Sequence, residues 1–309
     1  MPAVEVAIRA QEAAGLEPVT DGRLAATSPF DVDADGWAAW QRSLTVDGWR
    51  AAAGLTERAV KQALPGPYSL TRALPRTAGA KARQRAALAA ADGLRAEALA
   101  LAAAGCPLVE IEEAEAHRIG ADETERRLFA AAHRRLADGF EATHLSLSIV
   151  GGSAWEAGAA TILDPPYASL AVDLVAGPDN WRLVAAAAGD RGIIAGALSP
   201  QLDGEDGPEI LLWAANYAAS TGGRGSARVG LGTAGGLGAL RWEQAIVKLE
   251  RLGHAVRIAS MPAGEAQAAE LDPRAVNARS AALGRAVPSR RLTGRPASAR
   301  SWPRRTIPG

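Results

Sequence analysis

Short apolar, β-branched runs alternate along this chain with long Ala/Leu/Arg/Glu stretches of helical period, and that alternation constrains the fold more than any other feature. It is the pattern of βα units, in which each strand is buried on both faces and each helix returns the chain to the start of the next strand. Strands are predicted at residues 17–20, 60–64, 108–112, 143–149, 169–174, 192–198 and 228–232. Helices are predicted at 4–15, 80–104, 122–139, 179–188, 209–220 and 240–252. The segment 122–139 shows the logic: Asp122 can cap, Glu125 follows three residues on, Leu128, Ala132 and Leu136 share a face, and Gly139 ends it.

Seven parallel strand candidates, each with room for a return, fit a (β/α)8 barrel of the TIM type better than an open sheet. The count is one strand short. Only a helix ending in Gly15 precedes residue 17, so the first barrel strand is expected to be missing or incomplete, unless residues 255–259 fill the gap. The segment 24–56, with Trp37, Trp40 and Trp49, is long for a connection and is expected to pack over one barrel end. Residues 1–260 are assigned to the barrel and 261–309 to a linker and a disordered basic tail.

Charge supports that division. The chain has 34 basic and 34 acidic residues, yet positions 273–309 hold nine Arg and no acid. Those Arg are mixed with Pro, Ser, Gly and Ala, with Trp302 the single aromatic, and show no periodicity. A disordered extension is expected rather than a nucleic-acid arm. No apolar stretch reaches the roughly 20 residues a membrane span requires, and no basic-then-apolar leader opens the chain, so a cytoplasmic protein without a membrane partner is expected. Cys106 is the only cysteine, which excludes an intramolecular disulfide and any zinc site needing two thiolates from this chain.

In barrels of this class chemistry sits where strands end. The predicted ends carry Asp21 and Gly22, Tyr68, Glu112, Glu113 and Glu115, His144, Ser146 and Ser148, Asp173, Ser199 and Gln201, and the glycine-rich run from Gly230 to Gly238. A carboxylate-rich mouth with one His suits an amine ligand or acid/base work, and also describes ordinary exposed loops. His144, Ser146 and Ser148 alternate with Leu145, Leu147 and Ile149, which puts the polar set on one strand face. His117, His133 and His254 read as loop or helix-surface residues, and Cys106 as a small buried hydrophobe. Gly230, Gly232 and Gly235 match the dinucleotide fingerprint, but the next candidate strand ends in Ser260 with no acid for a ribose, so close backbone approach to a ligand is the preferred reading.

Five motifs in order resemble the C-terminal catalytic domain of cobalamin-independent methionine synthase, in the superfamily that also holds uroporphyrinogen decarboxylase. They are Gln11-Glu-Ala-Ala-Gly-Leu-Glu-Pro-Val-Thr-Asp-Gly22, Lys61-Gln-Ala-Leu-Pro-Gly-Pro67, Ala103-Ala-Gly-Cys-Pro-Leu-Val-Glu-Ile-Glu-Glu113, Thr143-His-Leu-Ser146 and Gly235-Gly-Leu237. The resemblance covers roughly residues 5–252. It implies a methyltransferase in which zinc, held by a His-x-Cys pair, a Glu and a last Cys, activates an acceptor thiol toward a methyl-folate.

Carried over by position, only His144 survives among those ligands. Ser146 and Gly235 stand where the cysteines would be, and Asp173 where the Glu would be. At most two good ligands remain, so a tightly bound zinc is not expected. Glu112 and Glu113 retain the acidic motif that would contact an amino-acid ammonium, with Glu113 slightly favoured.

The resemblance therefore implies a methyltransferase homologue that binds a small amino-acid-like acceptor, with methyl-tetrahydrofolate as donor. His144 would be general base supported by Asp173, while Asp21, Glu112, Glu113, Ser146 and Gly235 bind substrate. A non-catalytic ligand-binding barrel is the first alternative. A decarboxylase-like lyase is the second, and it would want several Arg at the mouth, where only Arg23 and Arg224 come near.

Overall fold

In the computed structural model, residues 2–25, 28–72, 74, 79–201 and 207–271 are described. Six strands form one parallel sheet in sequence order: β1 (Gln62–Pro65), β2 (Leu108–Glu113), β3 (His144–Ile149), β4 (Ser169–Asp173), β5 (Gly192–Leu198) and β6 (Val229–Thr233). Helices α1 (Ala3–Ala13), α2 (Ala34–Ala38), α3 (Val46–Ala53), α4 (Pro67–Arg72), α5 (Ala80–Ala103), α6 (Glu123–Ala137), α7 (Ala159–Leu163), α8 (Trp181–Ala186), α9 (Pro208–Ser220), α10 (Trp242–Ala259) and α11 (Glu265–Ala269) surround it.

The register separates two faces, because paired residues in a parallel sheet point the same way and alternate along each strand. One face carries Leu64, Ile111, Leu147, Leu170 and Ile193 in one row and Ile149, Val172 and Ala195 in the next, all buried. The helices cover this outer face. The inner face carries Ala63, Glu110, Ser146, Ser169 and Gly192 in one row and Pro65, Glu112, Ser148, Ala171, Ile194 and Gly230 in the next. Half of the alternation is thus apolar and packed, and half is polar or bare.

The expected strand at 17–20 reduces to a single bridge between Val19 and Val60. The bridge consists of Val19 N to Ala59 O at 2.9 Å and Lys61 N to Val19 O at 3.0 Å, and Ala59 N, which would extend it to the Glu17 carbonyl, donates to Glu17 Oε1 instead. Residues 255–259 cannot supply a further strand, since they lie within α10. Among the described residues no strand pairs the free edge of β6, and closure into a barrel is not seen. In the helical layer the ring does meet: α10 crosses α1 so closely that a Cβ on Gly253 would lie 1.7 Å from the Ala14 carbonyl oxygen.

The long connection runs down the flank of α5 rather than over one end. Glu97 of α5 is fully buried and accepts from Trp40 Nε1 (2.7 Å), Ser43 Oγ (2.9 Å), Leu44 N and Thr45 N (2.7 Å). Trp37 is buried against α5, where a Cβ on Gly93 would meet its carbonyl at 1.9 Å, and Trp49 Nε1 donates to Val60 O at 2.9 Å. Residues placed in the linker fold back instead: Gln267 of α11 donates to Ile258 O at 3.0 Å. The Arg-rich positions 272–309 lie outside the described residues. Among the described residues no helix is long and apolar enough to cross a membrane.

Candidate active site

Glu112 and Glu113 are neighbours with opposite fates. Glu113 pairs in register with Ile149 and therefore belongs to the outer, helix-covered face. It is fully buried and accepts from Tyr68 N (2.9 Å), Ser69 N and Ser69 Oγ at the start of α4, and sits 2.8 Å from His133 Nε2 of α6. His133, expected on a helix surface, is also fully buried, with Tyr167 OH 2.7 Å from its Nδ1 and the Phe129 ring 4.0 Å away. This carboxylate joins β2, α4 and α6 and is not free to meet a ligand. Of the two, the favoured Glu113 faces the helices, and Glu112 is the one left on the inner face.

Glu112 pairs with Pro65 and Ser148 on the inner face, at the end of β2 where the loops begin. Its side chain is 16% exposed and forms an ion pair with Arg23. Burial pushes its carboxyl above the usual range, outweighing the opposing pull of Arg23. Two residues earlier on the same face, Glu110 holds Lys61 Nζ with both oxygens at 2.9 Å. The inner wall of β2 is therefore a column of two carboxylates with two cations.

Arg23 follows a tight turn. Asp21 Oδ1 accepts from Arg23 N at 2.9 Å, so Asp21 serves in an Asx-turn. Arg23 itself has φ 59°, unusual for a residue with a Cβ, and its guanidinium stacks 3.7 Å above the Phe30 ring centroid.

The remaining expected site residues are spread out. His144 is the first residue of β3 and opposes Leu108, so it lies at the opposite end of the sheet from the loops around Glu112. Its Nε2 is 2.8 Å from Ser169 Oγ, which donates to Ser146 Oγ at 2.9 Å. Partial burial lowers the His144 pKa, favouring the neutral ring. Ser148, the partner of Glu112, is four residues further along, about 13 Å at the usual strand rise.

Asp173 ends β4 about 20 Å along the strand direction from His144 by the same reckoning, and cannot support it. Its oxygens accept instead from Val175 N (2.9 Å), Ala176 N (2.8 Å) and Gly151 N (3.2 Å). Gly235 follows β6 with φ 156°. The glycine fingerprint lacks a helix at its end, because α10 begins only at Trp242.

Zinc was tested against this donor set. A hydroxyl at Ser146, a glycine at Gly235 and an Asp173 remote from His144 do not make a tetrahedral site. No group of three His, Cys, Asp or Glu side chains converges among the described residues. The residues present do not fit the ion. The lyase reading also loses a residue: Arg224 is buried and donates to Arg191 O (2.8 Å), Ala218 O (2.7 Å) and Thr221 Oγ1 (2.7 Å), away from the inner face.

Lys61, Glu110 and Arg23 were not assigned roles from the sequence. Glu110 had a readable signal, since it stands two residues from Glu112 on a strand and must share its face. Arg23 was readable only as a residue near the mouth, because its pairing with Glu112 depends on the turn.

Against solved structures, the chain is similar to a B12-independent methionine synthase from Shewanella sp. W3-18-1 in complex with selenomethionine, with TM-score 0.68, 16% identity, and 82% of this chain and 86% of that chain covered. That likeness decides the fold. A candidate vitamin-B12-independent methionine synthase from Listeria monocytogenes aligns with TM-score 0.61, 14% identity and coverage of 85% and 86%. A methyltransferase from Methanosarcina mazei aligns with TM-score 0.57, 13% identity and coverage of 82% and 83%. No family model matches the chain, and no curated protein matches it. Within that fold the strand register places the Arg23–Glu112 pair at the loop end of the parallel sheet.

Proposed function

We propose that this chain is a methionine synthase-like methyltransferase homologue. It binds a small amino-acid-like acceptor at the loop end of its sheet, takes methyl-tetrahydrofolate as donor, and works without a zinc-bound thiolate. The observation that carries the reading is Glu112, a largely buried carboxylate on the inner face with an exchangeable cation already on it. Such a group receives an ammonium. The similar Shewanella protein, described in complex with selenomethionine, supports an amino-acid-like ligand.

Glu112 holds the acceptor, Lys61 and Glu110 form the floor beneath it, and Leu24, Val175 and Trp242, all exposed in or beside the loops at this end, offer apolar contact to the ligand body. In transfer the acceptor's lone pair attacks the donor methyl carbon. The electron pair of the breaking C–N bond returns to the folate nitrogen, which takes up a proton. The proton lost by the acceptor leaves to solvent, while Glu112 stays ionised on the acceptor's ammonium. His144, joined to Ser146 through Ser169, orients the far end of the inner face in this reading.

Non-catalytic binding is the second reading, and the separation of His144 from Glu112 favours it. One experiment tests both. The protein is incubated with methyl-tetrahydrofolate and homocysteine or other amino acids, with product analysis and calorimetry in parallel. Methylated product supports transfer, binding without product supports the second reading, and no binding of any amino acid overturns both.

A further inference from the structure

The Arg23–Glu112 pair is asymmetric: the carboxylate is fixed in the sheet with its side chain 16% exposed, whereas the arginine reaches in from a loop with its side chain 44% exposed. Arg23 is the one non-glycine residue with positive φ among the described residues, and the Asp21 turn and the Phe30 ring hold it at the mouth. Lys61 is committed to Glu110 through both carboxylate oxygens, so Arg23 is the cation that a ligand at Glu112 displaces. We infer that Arg23 and Glu112 form a clasp that opens around a zwitterion: the ligand ammonium takes Glu112, and the ligand carboxylate takes the guanidinium that Glu112 releases. This rests on the reading above that the ligand is amino-acid-like, and it names the residue that sets the choice among such ligands.

The physical argument is conservation of paired charge. The closed clasp is a neutral pair, an α-amino acid is a neutral zwitterion, and their exchange leaves every charge with a partner. An amine alone would strand Arg23. A carboxylic acid alone would strand Glu112 in a largely buried place, which is the costlier defect. The guanidinium also matches a carboxylate with two parallel N–H donors. The site therefore selects for both halves of the head group together, by penalising each half alone.

The test is calorimetry on the full chain with L-methionine, 3-(methylthio)propylamine and 4-(methylthio)butanoate, for wild type, Arg23→Gln and Glu112→Gln, with circular dichroism to confirm folding. In wild type, methionine is expected to bind at least about tenfold more tightly than the amine or the acid. Arg23→Gln should remove its advantage over the amine, Glu112→Gln its advantage over the acid, and Arg23→Lys should restore part of the first. Methionine binding that is equal to amine binding in wild type, or indifferent to Arg23→Gln, overturns the clasp and leaves the amino-acid reading standing. Failure of all three compounds to bind wild type overturns both.

Discussion

The two faces of β2 differ by one residue and by their whole chemistry. Glu113, on the outer face, is fully buried among Tyr68, Ser69 and His133, and its oxygens are filled by donors from two helices. Glu112, on the inner face, keeps contact with solvent and pairs with a half-exposed arginine from a loop. A carboxylate saturated by fixed donors is part of the architecture, whereas one balanced by a single loop cation is the one that the clasp proposed above can use. Burial alone does not separate structural from functional acids. What occupies the oxygens does.

The comparison can be broken first at its strongest point. Glu113→Ala leaves His133 and the α4 amides without their acceptor in a dry place and should cost about 3–5 kcal/mol, read by urea unfolding. If the loss is below about 1 kcal/mol, the worth of a single hydrogen bond, Glu113 is not a structural keystone. Leu147→Ala on the same face should cost about 2–5 kcal/mol through the cavity it leaves.

The inner face should be softer. His144 has a lowered pKa in the folded state, so the unfolded chain takes up the proton more readily. Its stability contribution is present above the ordinary value of 6.5 and is lost as pH falls through that value toward the lowered folded one. Urea midpoints at pH 7 and pH 5 should therefore converge in His144→Gln relative to wild type.

Glu112→Gln should change stability by less than about 1 kcal/mol while weakening amino-acid binding by at least about tenfold, which calorimetry separates from unfolding. Gly230→Ala should have the smallest effect, within about 0.5 kcal/mol, because the added Cβ meets only Ile194, with its nearest atom at 3.5 Å. A larger loss there would show that the inner face is more tightly filled than its bare backbone implies.

The sheet was legible where periodicity was strong. Six of the seven expected strands form, and α5 and α6 lie where the Ala/Leu/Arg/Glu pattern put them, with Asp122 accepting from Thr124 N at 2.7 Å. The strand at 17–20 reduces to one bridge because side chains take the backbone groups around it: Glu17 Oε1 accepts from Ala59 N, and the Gln11 amide bonds Thr20 N and O. Of the site, the principle that Glu112 and Glu113 face opposite ways was legible, but not which way each faces. That choice depends on the register between β2 and β3 and on donors from α4 and α6, which are distant in sequence. His144 was misplaced along its strand for a related reason: alternation gives the face and says nothing of which end meets the loops. Arg23 was legible as a residue near the mouth, but its pairing with Glu112 was not, because that reach depends on a positive φ after the Asx-turn.

Among the described residues, one edge of this sheet stays unzipped. Between β6 and Val19 the backbone of β6 offers amides and carbonyls to any extended segment that drifts alongside, which in most proteins invites chains to stick together. Here that seam is only five residues long and two of them are glycine, so a foreign strand would find little side-chain surface to grip. The same spareness that leaves the β6 backbone bare makes the seam a poor adhesive.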